Sequence, residues 1–491
     1  MSSLAVCLLL VHFLSDSPVP SRPHAPREAT PVADDLRAQS SAALRSATDF
    51  FRTQVATEGG YLWRYSDDLS RREGENKATA TQVWVQPPGT PSVGLAFLTA
   101  YEATGDKYYL EAARDTANAL VKGQLHSGGW DYLIEFDPQR RGRFAYRVDA
   151  KSPDSRNFST LDDNNTQSAL RLLMRVDAAL EFKDENIYEA AGYALDCLLK
   201  AQYPNGAWPQ RFDKFPDAAK FPVKKASYPE SWSRTFPGVN YFTFYTFNDN
   251  TIADMIDTMF EAARVYNEPK YRAAAERAGG FILLAQMPDP QPAWAQQYDV
   301  DMHPAWARKF EPPAVTGGES QGVLRTLLRL YRETGDKKYL EPIPRAIDYL
   351  RRSALPDGRL ARFYELRANK PLYFTKDYQL TYDDSDVPTH YGFKTGSGLD
   401  AIEKQYDRLR SLDPSQLNPS PKPDRPQPSK SLEVQVRSAI AALDDRGRWV
   451  EAGRLRYHGT DDPTRRIIDC QTFMRNVEVL SRYLAATRSE R

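Results

Sequence analysis

The chain carries no surplus of charge of either sign: Lys+Arg and Asp+Glu number 65 each. A zero balance excludes the broad electrostatic field that would gather nucleic acid or an anionic membrane. Any anionic ligand must therefore be met by local charge. Cysteine is scarce, with three in 491 residues. Cys7, Cys197 and Cys470 make neither a disulfide framework nor a zinc spacing. Cys197 and Cys470 lie in helical patterns and read as two buried free thiols, a single bridge between them being the other possibility. Long apolar runs are also missing. The apolar run from Leu4 to Leu14 has the length of a signal-peptide core and is too short to cross a bilayer. No Lys or Arg precedes it. The expectation is a signal peptide over residues 1–25, with a short anchor as the alternative, and a secreted, periplasmic or cell-surface location.

What the chain has is an internal repeat. Four segments share one plan of helix, short turn, helix and a loop bearing Gly with an aromatic or Arg. The turns and second helices read GDKYYLEAARDTANALVKGQ, KDENIYEAAGYALDCLLKAQ, NEPKYRAAAERAGGFILLAQ and GDKKYLEPIPRAIDYLRRS. Tyr109, Tyr188, Tyr271 and Tyr339 hold matching places. Apolar residues such as Leu110, Ala113, Ala117 and Leu120 recur at helical spacing. The predicted fold class is all-α, an (α/α)3-type toroid of antiparallel helix hairpins whose irregular loops form the active-site cleft. The toroid is expected over 35–410, a Pro/Ser-rich spacer over 411–430, and a C-terminal helical segment packing on the toroid over 431–491. The loops GGYLWRY, GGWDYLIEF, GAWPQRF, PAWAQQYD and GRLARFYEL should share one end of the ring, either as a sugar-binding rim or as tryptophan plugs of helix ends.

Two acidic stretches open first helices of successive repeats, STLDDNNTQSAL and YTFNDNTIADM. Asp and Asn before a helix are ordinarily N-caps. At equivalent places in adjacent hairpins they also bring Asp162, Asp163 and Asp249 together, with Asn164 and Asn250 as helpers. Hard oxygen ligands of this kind suit calcium in an open site. Arg308, Arg362 and Lys376 lie in or beyond the equivalent loops of the last two repeats. Carboxylates on one arc and cations on another suit an anionic polymer bridged by a divalent metal. A competing pattern, Q-x3-G-x-W, occurs in QLHSGGW and QYPNGAW and is known from terpene cyclases. The acidic clusters DDxxD and DxDD of those enzymes are missing: DDNNT lacks the third Asp and YDDSD has another order.

In order, TLDDNNT, GAWPQRF, FNDNT, WAQQYD, ARKFEPPAVTGGES and ARFYEL closely resemble the pectate lyases of polysaccharide lyase family 10, also called pectic acid lyases. The resemblance covers roughly residues 90–400 and implies an (α/α)3 toroid with calcium-assisted β-elimination of polygalacturonate. It implies Asp162 and Asp249 at the calcium site and Arg308 as the base. It further implies Arg362 and Lys376 as cations that bind uronate carboxylates, and Trp208 in the sugar-binding loop. Asp163 stands where the family usually has Asn and is expected near the substrate. Ala207 replaces a Gly, Lys376 replaces what is more often Arg, and the insertion at 213–240 is longer than expected. An arginine base requires a neutral guanidine, and nearby calcium and cations are expected to disfavour its charged form. The partner is then a polygalacturonate or pectin chain, with no nucleic acid and no membrane beyond a signal or anchor, and the protein a monomer. A glycoside hydrolase of uronic-acid oligomers and a non-catalytic pectin-binding protein are the rival readings.

Overall fold

The computed structural model describes residues 31–150, 152–417 and 426–488. The expected signal peptide over 1–25 and the centre of the Pro/Ser spacer lie outside them. Turn chemistry sets the hairpins. Helix α1 (Pro31–Phe50) precedes the first of them. Helix α2 (Thr90–Thr104) stops at Gly105, whose φ of 75° lets its N–H return to the Tyr101 carbonyl. Asp106 then caps α3 (Lys107–Gly123) by accepting from the Tyr108 N–H. Asp184 does the same for α5 (Glu185–Ala201), which follows α4 (Asn165–Ala179). The next pairs are α6 (Thr251–Tyr266) with α7 (Pro269–Leu284), and α8 (Gly317–Thr334) with α9 (Ile343–Arg352). Helices α10 (Leu399–Arg410), α11 (Lys430–Ala441) and α12 (Cys470–Ala486) follow.

Helices α12, α2, α4, α6, α8 and α10 lie side by side in that order, and α3, α5 and α7 back them as an outer layer. This is the α/α toroid of helix hairpins expected from the repeat. Short antiparallel strand pairs gather among the loops, and one four-stranded sheet joins residues 314–316, 363–365, 371–374 and 380–381. The C-terminal segment is woven in. Phe473 of α12 stacks on Phe51 and meets Phe97 and Trp449 edge-on or tilted, and strand Arg466–Asp469 pairs with Arg64–Ser66. Tyr109, Tyr271 and Tyr339 are core residues, but Tyr188 is 53% exposed and leans on Tyr266 at the surface. Cys197 and Cys470 are buried free thiols.

The Q-x3-G-x-W pattern has a structural cause. Gln124 Nε2 donates to the Gly128 and Ala190 carbonyls, and Gln202 Nε2 to those of Gly206 and Ala274. Each glutamine thus ties its own loop to the next outer helix. Gly128 and Gly206 have φ of 108° and 94°, and a Cβ on Gly206 would sit 2.1 Å from the Arg277 carbonyl oxygen. The indole N–H groups of Trp130 and Trp208 donate to the Leu120 and Leu198 carbonyls at 2.8 Å, closing the helix ends.

The insertion at 213–240 is a buttress. Trp232, Phe236 and Val239 pack on a second apolar cluster of Trp306, Phe310, Phe363, Phe374 and Phe393. The Trp306 indole donates to the Ser233 carbonyl at 2.9 Å, and Arg234 pairs with Glu365. The loop that carries Arg308 is thereby held from the side.

Candidate active site and metal centre

The two acidic stretches adopt one conformation twice. Strand Ser159–Thr160 pairs with Arg211–Phe212, and Tyr245–Thr246 with Gln297–Tyr298. Each first strand runs into a short 3-10 turn and then a long helix. Asp163 and Asn164 have φ of 50° and 57°, and Asp249 and Asn250 have 46° and 60°. Successive left-handed residues other than glycine are costly and concentrate at functional sites. The turns also show which residues correspond. The Thr160 and Thr246 hydroxyls accept from the Asp162 and Asn248 N–H groups. Asp249 is therefore the counterpart of Asp163, while Asp162 matches Asn248. No side chain of Asn164 or Asn250 caps its helix. The ordinary capping role does not apply.

Asp162, Asp163 and Asp249 each offer a carboxylate oxygen within 4.8 Å of the others. The Tyr132 hydroxyl donates to Asp162 Oδ2 at 3.0 Å and Gln86 Nε2 to Asp163 Oδ2 at 2.9 Å, while Asn248 donates to Asp249. Among the described residues, buried Asp162 Oδ1 and Asn164 Oδ1 have no hydrogen-bond donor. Buried acceptors of this kind need a proton or a cation. Burial, then Asp162 and Glu75, push Asp163 up to about 6. Burial, then Asp162 and Asp163, likewise push Asp249 well above the carboxylate range. Three crowded carboxylates with amide oxygens beside them are a donor set that fits a hard divalent cation such as calcium.

The sign of the pH effect follows. Asp163 keeps its proton to a higher pH in the fold than in the unfolded chain. Without a cation, its contribution to stability therefore falls as pH rises from its ordinary 3.8 through about 6. The melting temperature of chelator-treated protein should fall more over this window than that of Asp163→Asn, and calcium should restore it at the upper end. Parallel melting profiles for the two proteins would show that the crowding is not electrostatic.

Arg308 faces this cluster closely enough to oppose the rise in both Asp163 and Asp249. Its guanidinium forks onto Glu311, with Nε to Oε2 at 2.8 Å and Nη2 to Oε1 at 2.6 Å. The Arg308 backbone N–H and the Tyr391 hydroxyl also donate to Glu311, which is 2% exposed. Burial alone lowers the Arg308 pKa, but the bonds and charge of Glu311 more than offset it, so the pKa rises. The expectation that its surroundings favour a neutral guanidine is thus corrected: a buried carboxylate three residues on holds the proton in place. Arg362 also joins the site. Its Nη2 binds Glu319 Oε1 at 2.9 Å, it lies 4.4 Å from the Tyr391 ring centroid, and it senses the charge of Asp249.

Two expected residues are placed elsewhere. Lys376 is exposed, and its ammonium is held by Asp386 at 2.8 Å rather than by the cluster. Trp208 is 0% exposed and plugs the end of α5, so its assignment to sugar binding is corrected. The sequence reading missed Glu311, Glu319, Tyr391, Tyr132, Gln86, Glu75 and Arg211. Only Glu311 left a usable signal, three residues beyond Arg308 in ARKFE.

The family model described as pectic acid lyase matches residues 137–330. No curated protein matches. Among solved structures, a mutant family 10 polysaccharide lyase from Cellvibrio cellulosa in complex with trigalacturonic acid is 17% identical, with a TM-score of 0.45 over 65% of this chain and 98% of that one. The family 10 polysaccharide lyase from the same organism is 18% identical, with a TM-score of 0.44 and the same coverage. A GH76 α-mannanase from Bacteroides thetaiotaomicron is 11% identical, with a TM-score of 0.39 over 92% of this chain and 95% of that one. The resemblance drawn from the motifs is borne out over residues 137–330, where the pectic acid lyase model matches; that span includes Asp162, Asp163, Asp249 and Arg308 and ends before Arg362 and Lys376.

Proposed function

We propose that this protein is a secreted, monomeric pectate lyase that cleaves 1,4-linked polygalacturonate by β-elimination, with calcium held by Asp162, Asp163 and Asp249. The family match supports a polysaccharide lyase. The observation that carries the finer reading is the meeting of three carboxylates within 4.8 Å, one bearing an orphaned buried oxygen, with the Arg308 guanidinium. Secretion rests on the apolar run Leu4–Leu14. No helix among the described residues is long and apolar enough to cross a membrane.

In the reaction the C5–H bond breaks, the electron pair forms the C4=C5 double bond, and the O4-linked sugar departs. Removing a proton next to a carboxylate builds negative charge, which fixed cations stabilise. Bound calcium would supply such charge at the uronate carboxylate. Arg362 would add a second cation there, its guanidinium oriented by Glu319 and Tyr391. Arg308 is the proposed base. Glu311 engages Nε and Nη2 and leaves Nη1 for the sugar. Because Glu311 also raises the pKa, only a small neutral fraction exists near neutrality, and rate should climb into the alkaline range.

A hydrolase is less well served by this geometry. Its two carboxylates flank a glycosidic bond, whereas here three carboxylates each bring an oxygen to a common point, within 4.8 Å of one another. Incubation with polygalacturonate at alkaline pH should release 4,5-unsaturated uronides, seen by their ultraviolet absorbance, and a chelator should stop the release until calcium is returned. Reducing ends without the chromophore, formed in the presence of chelator, would establish hydrolysis instead. Retention on polygalacturonate without any product would establish a binding protein.

A further inference from the structure

We propose that Arg211 forms a further carboxylate-binding subsite for the uronate chain, on the Asp162 side of the acidic cluster; this rests on the lyase reading above. The two arginines that face the cluster already have carboxylate partners. Arg308 forks onto Glu311, and Arg362 binds Glu319. Among the described residues, no carboxylate lies within ion-pairing distance, 4.0 Å, of the Arg211 guanidinium, and its buried Nε has no hydrogen-bond partner. A half-buried cation without an anion is costly, and such a charge is retained where a ligand completes it.

The setting aims the group. Strand Arg211–Phe212 pairs with Ser159–Thr160, immediately before the turn bearing Asp162, so the backbone fixes its distance from the cluster. The guanidinium lies 4.5 Å from the Phe242 ring centroid and 5.4 Å from that of Tyr132, whose hydroxyl binds Asp162. Flanking rings hold a planar fork in one plane, the orientation that suits a planar carboxylate. Arg211 also opposes the raised pKa values of Glu75 and Asp163, so it faces the cluster. Glu75 at the rim stays beyond ion-pair distance, which leaves the fork to a ligand. A polygalacturonate chain supplies one carboxylate per sugar. With one acid group at the calcium and Arg362, a neighbouring sugar would bring the next to Arg211.

Calorimetric titration of trigalacturonate in calcium, on an Arg308→Ala background that prevents turnover, tests this. Adding Arg211→Ala should weaken binding by roughly 10- to 100-fold, the value of a charged hydrogen bond. Arg211→Lys should recover part of the loss, and the carboxyl-reduced trisaccharide should bind both proteins equally. Arg211→Gln, which keeps the packing between the rings, should lose affinity with its melting temperature unchanged. Undiminished trigalacturonate binding in the folded Arg211 variants would overturn the subsite alone. No binding by the parent protein would overturn the lyase reading together with it.

Discussion

Replacing Arg308 with Ala should reduce kcat on polygalacturonate by roughly 10²- to 10⁴-fold, the range of a positioned acid–base group, with binding of trigalacturonate still measurable. The loss should be in kcat because Arg362 and the metal site, not Arg308, are proposed to hold the substrate's charge. Arg308→Lys gives a sharper reading. A lysine keeps a cation but cannot fork onto Glu311 through two nitrogens as Nε and Nη2 do. If position 308 supplied only charge, the lysine variant would keep most of the rate. Loss in both variants is the expected result, with a lower melting temperature in Arg308→Ala, which leaves the buried Glu311 carboxylate without its cation. Turnover in Arg308→Ala close to the parent rate would remove Arg308 from the chemistry.

Asp249→Ala should weaken calcium binding by at least roughly 100-fold, more than is typical for residues behind a ligand, and activity should vanish with it. The same substitution should raise the melting temperature of the cation-free protein. Asp249 is crowded by Asp162 and Asp163, so its removal relieves the crowding that lifts its own pKa. Opposite signs on stability and on metal affinity distinguish a ligand from a residue that merely supports the fold. Asp162→Ala should likewise weaken calcium binding, with a smaller gain in cation-free stability because the Tyr132 hydroxyl loses its acceptor. A fall in both cation-free stability and calcium affinity would instead mark these residues as structural.

Much of the fold was legible because the repeat is written in local chemistry. Gly105 and Asp106 end one helix and start the next within two residues, as the sequence indicates. The aspartates were legible as a cluster for the same reason, though not as an aligned pair, since the left-handed turn at Asp163 and Asn164 leaves no mark in residue type. Trp208 was misjudged because a tryptophan after a Gly reads equally as a sugar platform or a helix plug, and only the Leu198 carbonyl decides. The electrostatic state of Arg308 depended on burying Glu311 under Tyr391, 80 residues further on. No periodicity encodes that meeting. Arg211 escaped notice because its significance lies in having no carboxylate within ion-pairing distance among the described residues, which residue type does not reveal.

The placement of α12 has a consequence for the order of assembly. Phe473 fills the space between Phe51, Phe97 and Trp449, rings drawn from widely separated parts of the chain. During synthesis the opening hairpin therefore emerges with its flank bare until α12 follows. The aspartate turns belong to the middle repeats and precede α12 in the chain by more than two hundred residues.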